Sequence, residues 1–390
     1  MEPQTSGEVG NGVKIATPEE LAAYLAGGGP LAGCVFQGLD LTGCTDVLLA
    51  GPLAGAIFLG CLLAPPALAH AQDCGALIFP RIADIPYDPY KGSVYTVAEL
   101  YAGFDPARPG SYATTLDARV YAHYRQTGGD NTPILKEALA RRLHDHSVTN
   151  DLKALLSGQK VVAFMGGHDL SRTAPEFAGV AVAARELRRK GYLVVTGGGP
   201  GAMEAAHLGA WFAPRPDGEL AQGLEILARA PLFSPVEGWL AAAFEVRARF
   251  PLAAVAEPWS IGIPTWVYGS EPPNAFATSI AKYFANSLRE EGLLSIADHG
   301  VVFAPGSAGT IQEIFDDASQ NHYKTFGRFG PMIFFGEGYW KWRKPVYPLL
   351  AQLAAGVEYG RWLAITDDPA EIVRLVERFA AAQVSGQNGA

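Results

Sequence analysis

The chain has 390 residues, 49% of them apolar and 18% charged, with a net charge of −9. At about 100–200 residues per domain this length fits two domains, and the composition excludes wholesale disorder. The acidic balance argues against a nucleic-acid binder, which needs a basic face, but not against a small phosphate ligand held by backbone N–H groups.

Four cysteines, Cys34, Cys44, Cys61 and Cys74, fall in the first fifth of the chain and form no CxxC pair. That usage reads as a reduced, cytoplasmic protein without a zinc site. Residues 47–63 are nearly all apolar, and Ala69, His70 and Ala71 imitate a cleavage site. The first twelve residues are acidic and polar, however, and Gly51, Pro52, Gly55 and Gly60 interrupt a run at the lower length limit for a bilayer. No membrane span is expected.

A five-residue spacing offers another account of this stretch. It joins Leu31, Phe36 and Leu41, and also Gly33, Gly38 and Gly43; it returns at Leu53, Phe58 and Leu63, with Gly55 and Gly60. This period fits neither helix nor flat strand. It fits a short β-solenoid, each coil pointing an apolar side chain inward and turning at glycine. Over residues 31–65 the chain resembles pentapeptide-repeat proteins; chance recurrence in a Gly/Ala/Leu-rich stretch is the other reading.

Residues 84–129 read as irregular or mixed. Residues 132–157 read as a helix with Ile134, Leu135, Leu139 and Leu143 near helical spacing. His144, Asp145 and His146 on it invite a metal reading, but a solvated helix face is the expected account.

From residue 159 the pattern becomes strand, glycine turn, helix. Strands are expected at 160–165, 192–196, 259–263, 300–304 and 331–335. Helices are expected at 174–190, 203–210, 275–291, 311–318, 349–355 and 369–382. Continuous apolar strands alternating with helices indicate an α/β fold: a Rossmann-like parallel sheet with helices on both faces. The expected division is an N-terminal extension over 1–155 and the Rossmann-like domain over 156–390.

Two glycine-rich loops join strand to helix, where open α/β sheets bind ligands. The first holds Gly197, Gly198, Gly199, Gly201 and Met203; the second holds Gly306, Ser307, Gly309, Thr310 and Glu313. Glycines let the backbone approach a phosphate, and the helix N–H groups beyond can hold it. A tight structural turn is the alternative for either loop alone. Neither has ATPase P-loop spacing.

These loops stand as Gly197-Gly-Gly-Pro-Gly-Ala-Met203 and Pro305-Gly-Ser-Ala-Gly-Thr-Ile-Gln-Glu313. Over residues 159–382 the chain resembles the LONELY GUY (LOG) family, whose signatures are GGGxGxM and PGGxGTxxE. The resemblance implies a homodimer that cleaves nucleoside 5′-monophosphates into free base and ribose 5-phosphate, with no metal or redox cofactor. It implies that Glu313 and Arg289 are catalytic, a carboxylate beside an oxocarbenium-like centre and an arginine on phosphate or ribose. Without it, Glu313 reads as a helix cap and Arg289 as a surface residue. Gly166 and His168, after the first strand, would touch the nucleotide, a plain loop histidine being the other reading of His168, and Asn274 would lie near the base. Ser171 and Arg172 are further phosphate candidates. The chain departs from the family at Ser307, where a glycine is usual, and at Glu290, where a lysine is usual. Those departures keep a second function in view, a nucleotide-binding sensor or carrier such as the molybdenum-cofactor carriers.

Overall fold

The computed structural model describes residues 12–253 and 258–387. They form two compact units: residues 12–93 with Thr132–Asp151, and Val94–Asn131 with 152–253 and 258–387. The segment 94–131, read from sequence as part of the extension, packs with the larger unit. Tyr95 bridges backbone to backbone with Ile280, and the Tyr101 hydroxyl donates to the Pro273 carbonyl.

In the first unit, strands β1 (Lys14–Ile15), β2 (Val35–Gln37), β3 (Ile57–Leu59) and β4 (Leu77–Phe79) pair in parallel and in chain order. Helices α1 (Pro18–Ala26), α2 (Thr45–Ala50) and α3 (Pro65–Asp73) connect them. Residue 36 pairs with 58, and 58 with 78. The repeating coil is therefore one strand and one helix rather than a pentapeptide square. Leu31, Phe36, Leu41, Leu53 and Phe58 point inward as read from sequence, whereas Leu63 is half-buried and Gly43 lies in a 3-10 turn instead of at a corner. Gly33, Gly38, Gly55 and Gly60 all take φ between 62° and 72°. Phe36 and Phe58 are fully buried and stack with centroids 5.0 Å apart. Burying each such side chain contributes roughly 1.5–3 kcal/mol. The apolar run 47–63 is thus spent on the end of α2, a turn and β3. No described helix is long and apolar enough to cross a membrane.

The remaining helices are α4 (Val97–Leu100), α5 (Leu116–Gln126), α6 (Leu135–Leu156), α7 (Pro175–Arg189), α8 (Ala202–Trp211), α9 (Asp217–Leu227), α10 (Val236–Arg249), α11 (Asn286–Ile296), α12 (Ala308–Tyr323), α13 (Val346–Leu353) and α14 (Pro369–Gln387). Helix α6 lies where its periodicity placed it, but with the opposite face inward. Ile134 just before it, and Leu135 and Leu139 on it, are exposed, whereas Glu137, Arg141, His144 and Asp145 are buried. Glu137 accepts from the Tyr87 hydroxyl at 3.2 Å and lies 3.7 Å from Arg141; His144 Nδ1 meets Asp145 at 3.0 Å. The solvated-face reading of His144 and Asp145 is corrected: both are buried in a polar network. Among the described residues no group of three or more His, Cys, Asp or Glu side chains is arranged to hold a metal ion.

The larger unit is a Rossmann-like α/β sheet of seven parallel strands: β5 (Val161–Met165), β6 (Leu193–Thr196), β7 (Ser260–Gly262), β8 (Ser279–Ile280), β9 (Val301–Phe303), β10 (Met332–Phe335) and β11 (Leu363–Thr366). Their order is β11-β10-β9-β5-β6-β7-β8. The chain winds outward from β5 through β6, then returns to the other side of β5 at β9. Right-handed crossovers therefore put α7 and α12 on opposite faces, and β5/β9 is the switch point where such sheets open a crevice. β5, β6, β9 and β10 are wholly buried, as their unbroken apolar sequences require. The helix expected over 275–291 is corrected: β8 occupies 279–280, and α11 begins at Asn286. Behind the sheet's β8 edge, Lys282 and Asp117 form a fully buried ion pair at 2.5 Å.

Candidate functional site

The crevice above β5 and β9 is a cleft of about 920 Å³. One wall is the loop after β9, from Pro305 to Thr310, every residue of which lines the cleft. Ser307 is the N-cap of the 16-residue helix α12, and Ser307, Ala308 and Gly309 are exposed. Their position offers unpaired first-turn N–H groups and the positive end of the helix dipole to an anion. Gly306 has no room for a side chain: a Cβ there would sit 2.1 Å from Thr310 Oγ1. Lys344 Nζ donates to Ser307 Oγ at 2.9 Å and to the Gly306 carbonyl at 3.1 Å, and the Tyr339 hydroxyl donates to the same carbonyl at 2.5 Å. Ser307 thus holds a cation at the loop. Its own hydroxyl proton is left to donate.

Glu313, one turn into α12, and Arg289, from α11, meet in this cleft at 3.4 Å. Both side chains are mostly buried, 13% and 12% exposed. Burial pushes the Glu313 carboxyl up to about 7; Arg289 pulls it down, and Glu290 and Asp316 push it further up. Arg289 is aimed by Nε donation to the Ile263 carbonyl at 3.3 Å. Glu290 also lines the cleft, where it accepts from Asn286 Nδ2 at 2.7 Å and Gln312 Nε2 at 3.3 Å.

The first glycine loop has a different place from the one read in its sequence. Gly197, Gly198, Gly199 and Gly201 are buried and do not line the cleft; of that motif only Met203 does. Gly197 makes room for the arginine: a Cβ there would lie 2.3 Å from Arg289 Nη2. Gly201, at φ 68°, lets the Gly167 and His168 carbonyls approach, since a Cβ would lie 2.3 Å and 2.7 Å from them. The Ala202 N–H that opens α8 is spent on the Gly167 carbonyl, and the Gly199 N–H on Met203 Sδ at 3.4 Å. Thr196 Oγ1 accepts from the Gly198 N–H at 2.8 Å and pairs with His207 Nε2 at 2.8 Å. Burial lowers the His207 pKa to about 3, so the partner of this hydroxyl is a neutral imidazole.

Asn274 is likewise behind the loop, not in the cleft. Fully buried, it donates to the Gly198 and Gly199 carbonyls at 3.0 and 3.1 Å and accepts from the Phe276 and Ala277 N–H groups. It clamps the glycine loop. Arg172 is committed to a buried pair with Glu204, at 3.0 and 2.5 Å, and to the Ala230 and Trp239 carbonyls. Neither Arg172 nor Ser171 lines the cleft.

Gly166 and His168 do line it. His168 Nδ1 lies 3.1 Å from Glu271 and Nε2 lies 3.2 Å from Asp169. Glu271 is raised by burial and lowered by His168 and Arg289. Sequence reasoning missed Glu271, Tyr339, Arg343 and Lys344, all of which line the cleft. Glu271, three residues before Asn274, carried a faint signal; Lys344 had none, being 37 residues from Ser307 in sequence.

Fold and cleft together define an α/β protein of the doubly wound kind, with an anion-suited helix terminus facing an acid–arginine pair. No family model and no curated protein matches the chain. Among solved structures, the Moco carrier protein of Chlamydomonas reinhardtii is similar at 15% identity, over 57% of this chain and 99% of that one, with a TM-score of 0.36. The molybdenum cofactor binding protein of the phototrophic bacterium Rippkaea orientalis is similar at 13% identity, over 57% of this chain and 98% of that one, with a TM-score of 0.34.

Proposed function

We propose that the cleft binds a nucleoside 5′-monophosphate and hydrolyses its N-glycosidic bond. The observation that supports this most is the placing of Arg289 and Glu313 together, in one cleft with the exposed N-terminus of α12. The phosphate sits on the N–H groups of residues 307–310, with the Ser307 hydroxyl and Lys344 as further donors. Glu313 faces the ribose, takes a proton from the attacking water and stabilises positive charge at C1′. Arg289 holds Glu313 toward its ionised form and binds a ribose or phosphate oxygen. The assembly proposed with this reading is a homodimer.

A second reading is non-catalytic carriage or sensing of a phosphorylated nucleotide. The ion pair itself favours it: Arg289 and Glu313 satisfy one another, and Glu290 adds negative charge to the same cleft.

The test is release of free base and ribose 5-phosphate from a panel of nucleoside 5′-monophosphates. Matching nucleosides serve as controls, and Glu313→Gln runs beside the wild type. Hydrolysis predicts release from a monophosphate, none from its nucleoside, and loss in Glu313→Gln. A nucleotide that raises the melting temperature without any being cleaved establishes the carrier reading instead.

A further inference from the structure

Hydrolysis at C1′ involves two protons. One leaves the attacking water, and Glu313 takes it. The other must reach the departing base, whose ring nitrogen otherwise leaves as an unstable anion. We propose that His168 donates this second proton and that Glu271 positions its ring; the inference rests on the hydrolase reading above.

His168 is on the loop after β5, across the switch point from α12, and its side chain is 40% exposed in the cleft that holds Glu313. Of the other cations lining the cleft, Arg289 and Arg343 are guanidiniums, which do not give up a proton, and Lys344 is held at the Ser307 end of the cleft. Lys344 is on Ser307 and the Gly306 carbonyl, and Arg289 is on Glu313 and the Ile263 carbonyl. The ring is held on three sides. Nδ1 meets Glu271 at 3.1 Å, the ring edge packs on Phe233 with centroids 5.6 Å apart, and the backbone is fixed where Gly201 admits the His168 carbonyl. Glu271 is the more buried carboxylate, 25% exposed, whereas Asp169, 3.2 Å from Nε2, is 80% exposed and screened by water. Glu271 therefore fixes the tautomer and the plane, and Nε2–H is the proton presented to a ligand.

The step balances as follows. The C1′–N bond breaks and its electron pair moves into the base. The Nε2–H proton of protonated His168 passes to a base nitrogen. The water oxygen bonds to C1′, and its proton passes to the Glu313 carboxylate. Glu313 and His168 then exchange their proton through solvent, so the sum is nucleotide plus water to free base plus ribose 5-phosphate.

The test uses two substrates with the full-length chain. One is the cleaved purine or pyrimidine 5′-monophosphate. The other is ribose 5-phosphate bearing 4-nitrophenoxide at C1′, which leaves as a stable anion and needs no proton. A positioned acid contributes about 10²–10⁴-fold. His168→Gln should slow base release by about 10²-fold or more while changing 4-nitrophenol release by less than about threefold. Glu271→Gln should shift the same ratio in the same direction by less, and serves alone if His168→Gln does not fold. Equal slowing of both substrates, or of neither, overturns the role of His168 while leaving the hydrolase intact. A wild type that releases no base from any monophosphate overturns the hydrolase reading and this inference with it.

Discussion

Release of 4-nitrophenol from the C1′ 4-nitrophenoxide of ribose 5-phosphate, which needs no proton from His168, should accelerate about fiftyfold between pH 5 and pH 7, then level off. The Glu313 carboxyl titrates at about 7 against an ordinary 4.5. That displacement corresponds to about 3 kcal/mol against ionisation in the cleft. The attacking water needs the ionised form, which is about 1% of the protein at pH 5 and about half at pH 7. Removing neighbours should move the break in the directions their charges dictate. Glu290→Gln removes a repulsion and should move it to lower pH. Arg289→Gln removes an attraction, bounded above by about 5 kcal/mol for charges 3.4 Å apart at an effective dielectric near 20, and should move it to higher pH. Initial rates of 4-nitrophenol release from pH 4 to 9, as kcat/KM, measure the break. A break near 4.5, or a profile that Glu290→Gln leaves in place, would refute Glu313 as the base.

Lys344→Ala should weaken monophosphate binding by about 10–100-fold, the range of a charge-assisted hydrogen bond, while leaving affinity for the nucleoside unchanged in calorimetry. Gly197→Ala should fall mainly on activity, since its Cβ would displace the Arg289 guanidinium; a kcat loss with a melting temperature near wild type is the expected result. Asp317→Asn should stabilise the protein at pH 8 but not at pH 4. Asp317 is buried, accepts only from Asn321 at 3.3 Å, and its Oδ2 has no hydrogen-bond partner among the described residues. Burial raises its carboxyl to about 8 from 3.8, so the folded state holds a proton that the unfolded state has lost. Wild-type stability accordingly falls as pH rises through that window, and melting curves of both proteins from pH 4 to 8 should diverge.

Five of the seven strands of the parallel sheet were legible because they are buried on both faces and read as apolar runs; β8, two residues long, and β11, half-buried throughout, were not. The loop from Pro305 to Thr310 was legible because its spacing matches what it does: backbone exposed at a helix start, with Glu313 one turn on. The glycines at 197–201 look the same in sequence but serve another end. There the close approach is between protein backbones and around Arg289, and sequence does not distinguish a ligand from a neighbouring loop as the reason for a missing Cβ. The same ambiguity placed Arg172 among the phosphate donors, when its partner is Glu204, buried on α8. On α6 the polar stretch around His144 was read as solvated, yet Glu137, Arg141, His144 and Asp145 go inside, where Tyr87, Glu137 and Arg141 meet. Lys344 reaches the loop at Gly306 and Ser307 through tertiary packing alone.

The strand–helix coils of the first unit carry a consequence for how its length varies. Gly33, Phe36 and Gly38 recur at Gly55, Phe58 and Gly60, and the ladder pairs 36 with 58 in parallel register. Each coil stacks on its neighbours and adds its inward residues to one continuous apolar core from Ile15 to Ala71. Cutting or duplicating one such stretch at equivalent points brings like backbone against like and keeps every inward side chain inward. The unit behaves as a stack of interchangeable rungs, open to growth by whole steps and closed to insertions of any other length between its corners.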